Sequence, residues 1–218
     1  MPILGSNRVE KKLMPSTLAH LAYAQRLADV HPVEDTAAYL RGTIFPDIRY
    51  LGVIDRSQSH REDVTMDEVL AEAEPWKRGW LLHCWLDVLW NAYWAQFGLD
   101  PNAPTNRGLW LAVKRIEDEL LLPAIFDKPG TALALAMSDA PAEALGVKAA
   151  DIRRWGMMTG GQLTAFPGAH NDEALLRQLS IGLEIAAVGA RRKAKLLTDA
   201  QWMERIAGCH TFLSKAWR

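Results

Sequence analysis

The sequence predicts an all-α protein, and three observations carry that reading. Apolar residues recur at helical spacing along most of the chain. Each such run opens on a capping residue and closes near glycine or proline. Alternating β-branched and aromatic runs, the mark of strands, are nearly absent. A length of 218 residues suits a single domain spanning 1–218, and no internal repeat or Gly/Ser- or Pro-rich linker divides it.

The elements follow in order. Ser16 or Thr17 caps a helix through Leu18, Leu21, Ala22 and Leu27 that His31-Pro32 ends. A shorter helix over about Glu34 to Arg41 stops at Gly42. Thr65 and Glu68 have capping-box spacing and open a helix that reaches Ala73 before Pro75. Trp76 to Phe97 reads as one long helix, terminated by Gly98 and Pro101. The helix from Asn106 runs through Ile116, Glu119 and Leu122 to Pro123. Asp151 to Met158 forms a short helix closed by Gly160-Gly161. Asn171 or Asp172 starts a long one through Leu175, Leu176, Leu179, Leu183 and Ala187. Thr198 with Gln201 caps a last helix through Trp202, Ile206 and Phe212.

Composition narrows the function classes. Apolar residues make up 49% and charged residues 23%, enough of each for a sizeable core beneath a hydrated surface. Lys and Arg number 25 against 26 Asp and Glu, which argues against a nucleic-acid binder that relies on overall positive charge. No secretory leader is readable, so a cytoplasmic location is expected. The most apolar stretch, Gly79 to Trp90, is far short of the roughly 20 residues of a membrane span. It also carries His83 and Asp87. Cys84 lies in that stretch, so the two cysteines, Cys84 and Cys209, are read as reduced rather than paired.

His83 and Asp87 are the most informative pair. Four residues apart on a helix, they project from one face toward one point, and the face continues to Asn91. A carboxylate in so apolar a helix must be paired or bound to a cation. A His–Asp hydrogen bond in the core and a metal site both meet that need. Upstream, His20 stands at a helix start, Asp47 follows Pro46 at a turn, and His60 ends a polar stretch as a surface residue would. Histidines and carboxylates gathered in space would suit zinc or another borderline divalent metal. His170-Asn171-Asp172-Glu173 is explained by an N-cap with acidic residues on the helix dipole. Trp76, Trp80, Trp90 and Trp94 flank the His83 helix as core packing.

Taken together, His20, the Gly42-x-x-x-Pro46-Asp47 block, Ser59-His60 and Gly79-x-x-x-His83-x-x-x-Asp87 stand in the order of a known family. Over about residues 14–95 the chain resembles the zinc-dependent phospholipase C family, in its bacterial non-secreted branch. The zinc-dependent single-strand nucleases share that scaffold. The remainder, 104–218, shows a compatible helical pattern.

The resemblance implies a multi-helix bundle of the phospholipase C/single-strand nuclease type. It makes Asp47, His60, His83 and Asp87 the shell of one divalent metal, with His20 contributing to a second. Zinc is the expected ion, with manganese and iron as alternatives. The secreted enzymes complete the second site with an N-terminal tryptophan, where this chain begins Met1-Pro2, and no downstream set for a third site is evident.

The implied activity is hydrolysis of a phosphoester, either a small molecule or a phospholipid head group. Metal-activated water would attack phosphorus, and Asp47 is the candidate general base. The alternative is a non-catalytic helical protein stapled by a structural metal or a His–Asp network.

Overall fold

The computed structural model describes residues 16–100, 103–124, 127–137, 140–166 and 183–217, and no strand occurs among them. The chain runs through α1 (Thr17–Val30), α2 (Thr36–Ile44), a 3-10 helix (Phe45–Leu51), α3 (Arg56–Ser59) and α4 (Met66–Ala71). It continues through α5 (Pro75–Ala95), α6 (Arg107–Leu121), α7 (Lys128–Leu135), α8 (Ala140–Ala144), α9 (Ala149–Ala165), α10 (Leu183–Leu196) and α11 (Ala200–Lys215). The fold is all-α, as the periodicity predicts. No helix among the described residues is long and apolar enough to cross a membrane.

α5 is the axis of the core. Leu82, Leu86, Trp90 and Trp94 are fully buried along it, and Leu18, Leu21, Ala22 and Leu27 of α1 are buried as well. Trp90 and Trp94 meet Trp110 of α6 edge to face, with ring centroids 5.2 and 5.3 Å away. Both cysteines are free and buried.

Several boundaries differ from expectation, and close helix crossings explain two of them. α2 does not stop at Gly42 but runs through it to Ile44. A Cβ on Gly42 would lie 1.9 Å from the Trp76 carbonyl oxygen, and one on Gly79 would lie 2.0 Å from that of Tyr39. These glycines are where α2 and α5 touch backbone to backbone. In the same way α9 passes through Gly160-Gly161 to Ala165, since Gly156 and Gly160 let it close on α7. Both glycines trade helix propensity for contact.

Asp199, rather than Thr198, caps the last helix, accepting from the amides of Gln201 and Trp202. The Thr65–Glu68 capping box is present, but α4 ends at Ala71, before Ala73. Asp47 lies not at an open turn but in a 3-10 helix that follows α2 directly, with Pro46 in its first turn, where a missing N–H costs nothing. The His170–Glu173 cluster lies outside the described residues.

Candidate metal centre

The α2–α5 crossing builds the site. It sets the α5 face carrying His83 and Asp87 against the end of α2, where His83 Nδ1 donates to the Thr43 carbonyl oxygen at 2.8 Å. The 3-10 helix then turns Asp47 back toward the same point. The first turn of α1 supplies His20, whose Nδ1 reaches the Ser16 carbonyl oxygen at 2.9 Å. His60 follows α3, on a segment held by Trp80 Nε1 donating to the Ser59 carbonyl oxygen at 2.6 Å. All five side chains are buried.

Their atoms are ordered alike. Each imidazole uses Nδ1 for a hydrogen bond, to backbone for His20 and His83 and to Ser59 Oγ for His60 at 2.8 Å. Among the described residues Nε2 of all three makes no hydrogen bond. Those nitrogens converge on Asp87: His20 at 3.2 Å from Oδ1, His60 and His83 at 3.4 and 3.8 Å from Oδ2. The rings of His20 and His83 stack, with centroids 3.8 Å apart and planes within 8°. Asp47 accepts from Thr17 Oγ1 through Oδ2 at 2.6 Å, while its buried Oδ1 makes no hydrogen bond.

An Nδ1–H held by an oxygen acceptor leaves Nε2 as a lone pair, which is how a metal-ligating histidine is oriented. Two groups could hold an ion: His20, Asp47 and His83, and His60, His83 and Asp87, the donor atoms of each group lying within 4.8 Å of one another. Both use His83, whose Nε2 has a single lone pair. They therefore compete for one ion. The mixed nitrogen and oxygen donors fit a borderline divalent cation.

Electrostatics keep the set ready. Burial, with His20 and His60 beside it, lowers the His83 pKa to about 3, so its imidazole stays neutral. Burial likewise lowers His60. For Asp47, burial opposes ionisation, but His83, Arg49 and His20 outweigh it and hold the carboxyl below its usual value. Asp87 is lowered well below its usual value against the same penalty through His83, His20 and His60, which favour the carboxylate only when an imidazole presents a proton to it.

The structure thus brings together all five candidates: His20, Asp47, His60, His83 and Asp87. The surface placement expected of His60 is corrected, because Ser59 and Trp80 fold its segment inward. Asn91 turns back to donate to the Asp87 carbonyl oxygen at 2.8 Å instead of extending the donor set.

Four residues went unforeseen as parts of the centre. Thr17 orients Asp47. Arg49 Nη2 lies 3.9 Å from Asp47 Oδ1, and Arg56 Nη2 lies 3.4 Å from Asp87 Oδ2. Lys114 of α6 interacts electrostatically with both carboxylates. Two signals were available. Arg49 follows Asp47 by two residues, and Arg56 precedes His60 by four.

Comparison with known proteins adds no relationship: no protein family, curated protein or solved structure matches the chain.

Proposed function

We propose that the chain is a metal-dependent phosphoester hydrolase of the phospholipase C-like kind. The observation that supports it most is the triple arrangement of imidazoles, with every Nδ1 tied to oxygen, every Nε2 turned toward Asp87, and Asp47 grouped with His20 and His83. His60, His83 and Asp87 would hold the cation, zinc being the best fit, with His20 and Asp47 the competing pair of donors around His83. A bound divalent cation supplies Lewis acidity, lowering the pKa of water and offsetting charge on phosphoryl oxygens. Asp47, fixed through Oδ2 by Thr17, keeps Oδ1 toward the centre and is the group to take a proton from water.

A second reading, a structural ion, is favoured by the complete burial of His20 and His83. Chelation separates the two. Removing a structural ion unfolds the protein, whereas removing a catalytic one leaves a folded, inactive apoprotein.

The test is elemental analysis of wild type beside His83→Ala and Asp87→Ala, with hydrolysis assays on phosphoesters after loading with zinc, manganese or iron. We expect about one equivalent of metal in wild type, as ligand geometry requires, lost in both variants together with hydrolysis. Wild-type protein that takes up none of the three metals would sink the proposal. His83 and Asp87 would then be a hydrogen-bonded core pair.

A further inference from the structure

His60 comes to the centre with little structure of its own to hold it. His20 rides on α1 and His83 and Asp87 on α5, helices of 14 and 21 residues. His60 instead leaves the four-residue α3 in an extended conformation, with φ −130° and ψ 151°. Something outside its own segment has to set its direction.

Two peptide groups flank the His60 Cα, and α5 holds both. Before it, Trp80 Nε1 donates to the Ser59 carbonyl oxygen at 2.6 Å; after it, the Arg61 amide donates to Cys84 Sγ at 3.4 Å. Peptide groups are planar, so fixing the two planes fixes φ and ψ of the residue between them, and with them the side chain's exit. Ser59 and Cys84 are fully buried, which keeps water from replacing either bond. Ser59 Oγ then meets Nδ1 of the ring at 2.8 Å, and Nε2 is left 3.4 Å from Asp87 Oδ2.

The holding groups share a helix face with the donors. Trp80, His83, Cys84 and Asp87 stand at i, i+3, i+4 and i+7 of α5. Cys84 belongs to neither donor group, and its sulfur is turned to Arg61. Building on the metal-centre reading, we infer that Trp80 and Cys84 are positioning residues. They hold the backbone on either side of His60 so that Nε2 stays beside Asp87, and α5 thereby governs all three donors of the His60, His83 and Asp87 group. The competing group takes only His83 from α5 and does not depend on this clamp.

The experiment is a double-mutant cycle on zinc affinity, read by competition with a chromogenic chelator. Trp80→Phe deletes the indole donor and Cys84→Ala the sulfur acceptor, each in wild type and in His60→Ala. In wild type we expect Trp80→Phe to weaken zinc ~10- to 100-fold, as loss of a ligand's support does. Cys84→Ala should weaken it ~2- to 10-fold, since sulfur is a weak acceptor. In His60→Ala neither should weaken it further. Cys84→Ala carries the test alone should Trp80→Phe fail to fold. Trp85→Phe, whose ring packs on Trp217, should leave zinc affinity unchanged. Equal losses in the two backgrounds, or in Trp85→Phe, would mean that the changes act through α5 as a whole, and overturn the inference.

The imidazole 15N resonances of metal-free protein, compared at a single pH, give a reading that needs no ion. Trp80→Phe and Cys84→Ala should move those of His60 most; unmoved His60 resonances overturn the inference whatever zinc does. Wild type that takes up no metal, with His60 resonances that still move in the variants, overturns the proposed function and supports the clamp. Zinc bound and weakened as expected, with no phosphoester hydrolysed, does the same.

Discussion

Around His83, three imidazoles and two carboxylates are buried together; around Glu117, a buried carboxyl, indole, phenol and thiol lie with a half-buried imidazole. In the second region each polar group finds one partner or loses its charge. Trp90 Nε1 donates to Glu117 Oε1 at 2.8 Å, and Tyr23 pairs with His210. Burial pushes Glu117 up to about 8, pushes the Cys209 thiol up, and pulls His210 down to about 4.

In the first region the carboxylates keep their charge, and three imidazole Nε2 atoms remain without hydrogen bonds. Burial alone therefore neutralises ionisable groups, and it preserves them only where the fold gathers countercharge. The Glu117 region shows what a buried polar cluster becomes where burial outweighs the countercharge, Lys114 at Glu117 being too little to offset it.

The largest effect should come from breaking the crossing that builds the first region. A Cβ at Gly79 would lie 2.0 Å from the Tyr39 carbonyl oxygen and 2.8 Å from the Thr43 nitrogen, both backbone atoms that cannot move aside. Gly79→Ala should cost on the order of 3 kcal/mol or more, as forced overpacking does. Metal uptake should go with it, because Thr43 would no longer seat His83. Gly156→Ala is the matched control, since it strains the α7–α9 crossing, where a Cβ would lie 1.7 Å from the Leu135 carbonyl oxygen. Denaturant unfolding and metal content of both variants check this. Equal loss of metal per folded molecule in the two would mean that the crossing has no special link to the centre.

The two regions should also answer pH with opposite sign. Glu117 has an ordinary value of 4.5, raised to about 8. Between those values the folded carboxyl keeps a proton that the unfolded chain releases, so stability falls as pH rises through the window. Asp47 and Asp87 are lowered from 3.8, so their contribution is present above that value and is lost as pH falls below it. Glu117→Gln retains an acceptor for Trp90 and removes the titration. Between pH 5 and 9 wild type should lose on the order of 2–4 kcal/mol relative to this variant. Unfolding curves across that range measure it, and parallel profiles would show that Glu117 does not titrate there.

How much of this was legible varies with the kind of contact. Helix starts at Ser16 and Thr65, and the reach of α5, are written locally in caps and periodicity. Gly42 and Gly160 misled because a glycine that ends a helix and one that lets two helices touch look alike in one dimension. His20, Asp47, His60, His83 and Asp87 could be picked out by residue type and order, but their convergence depends on the crossing. Arg49, Arg56 and Lys114 were hidden for a different reason. A basic residue is ordinarily a surface residue, so the nearness of Arg49 to Asp47 and of Arg56 to His60 in the chain does not by itself say that either faces a buried carboxylate, and Lys114 carries no such signal. Glu117 did leave a trace, since it shares a helical face with Trp110, Val113 and Leu121, where an apolar residue is expected.

The smallest of these effects tests how finely the first region is arranged. Thr17 is the first residue of α1, and its Oγ1 donates to Asp47 Oδ2 at 2.6 Å. One residue earlier, Ser16 caps the same helix through its side chain and receives His20 Nδ1 on its carbonyl. The start of one helix thus orients two candidate ligands, although only His20 belongs to it. Thr17→Val keeps the shape of the side chain and deletes the donor. It should cost about 1 kcal/mol of stability, together with the 10–100-fold loss of metal affinity usual for a supporting partner of a ligand. Competition with a chromogenic chelator reads the affinity directly. Trp90→Phe, which deletes the donor to Glu117, should leave that affinity unchanged. If Thr17→Val loses stability and keeps full metal affinity, Asp47 is tied to α1 for packing alone, and the difference between the two regions narrows to His20, His60, His83 and Asp87.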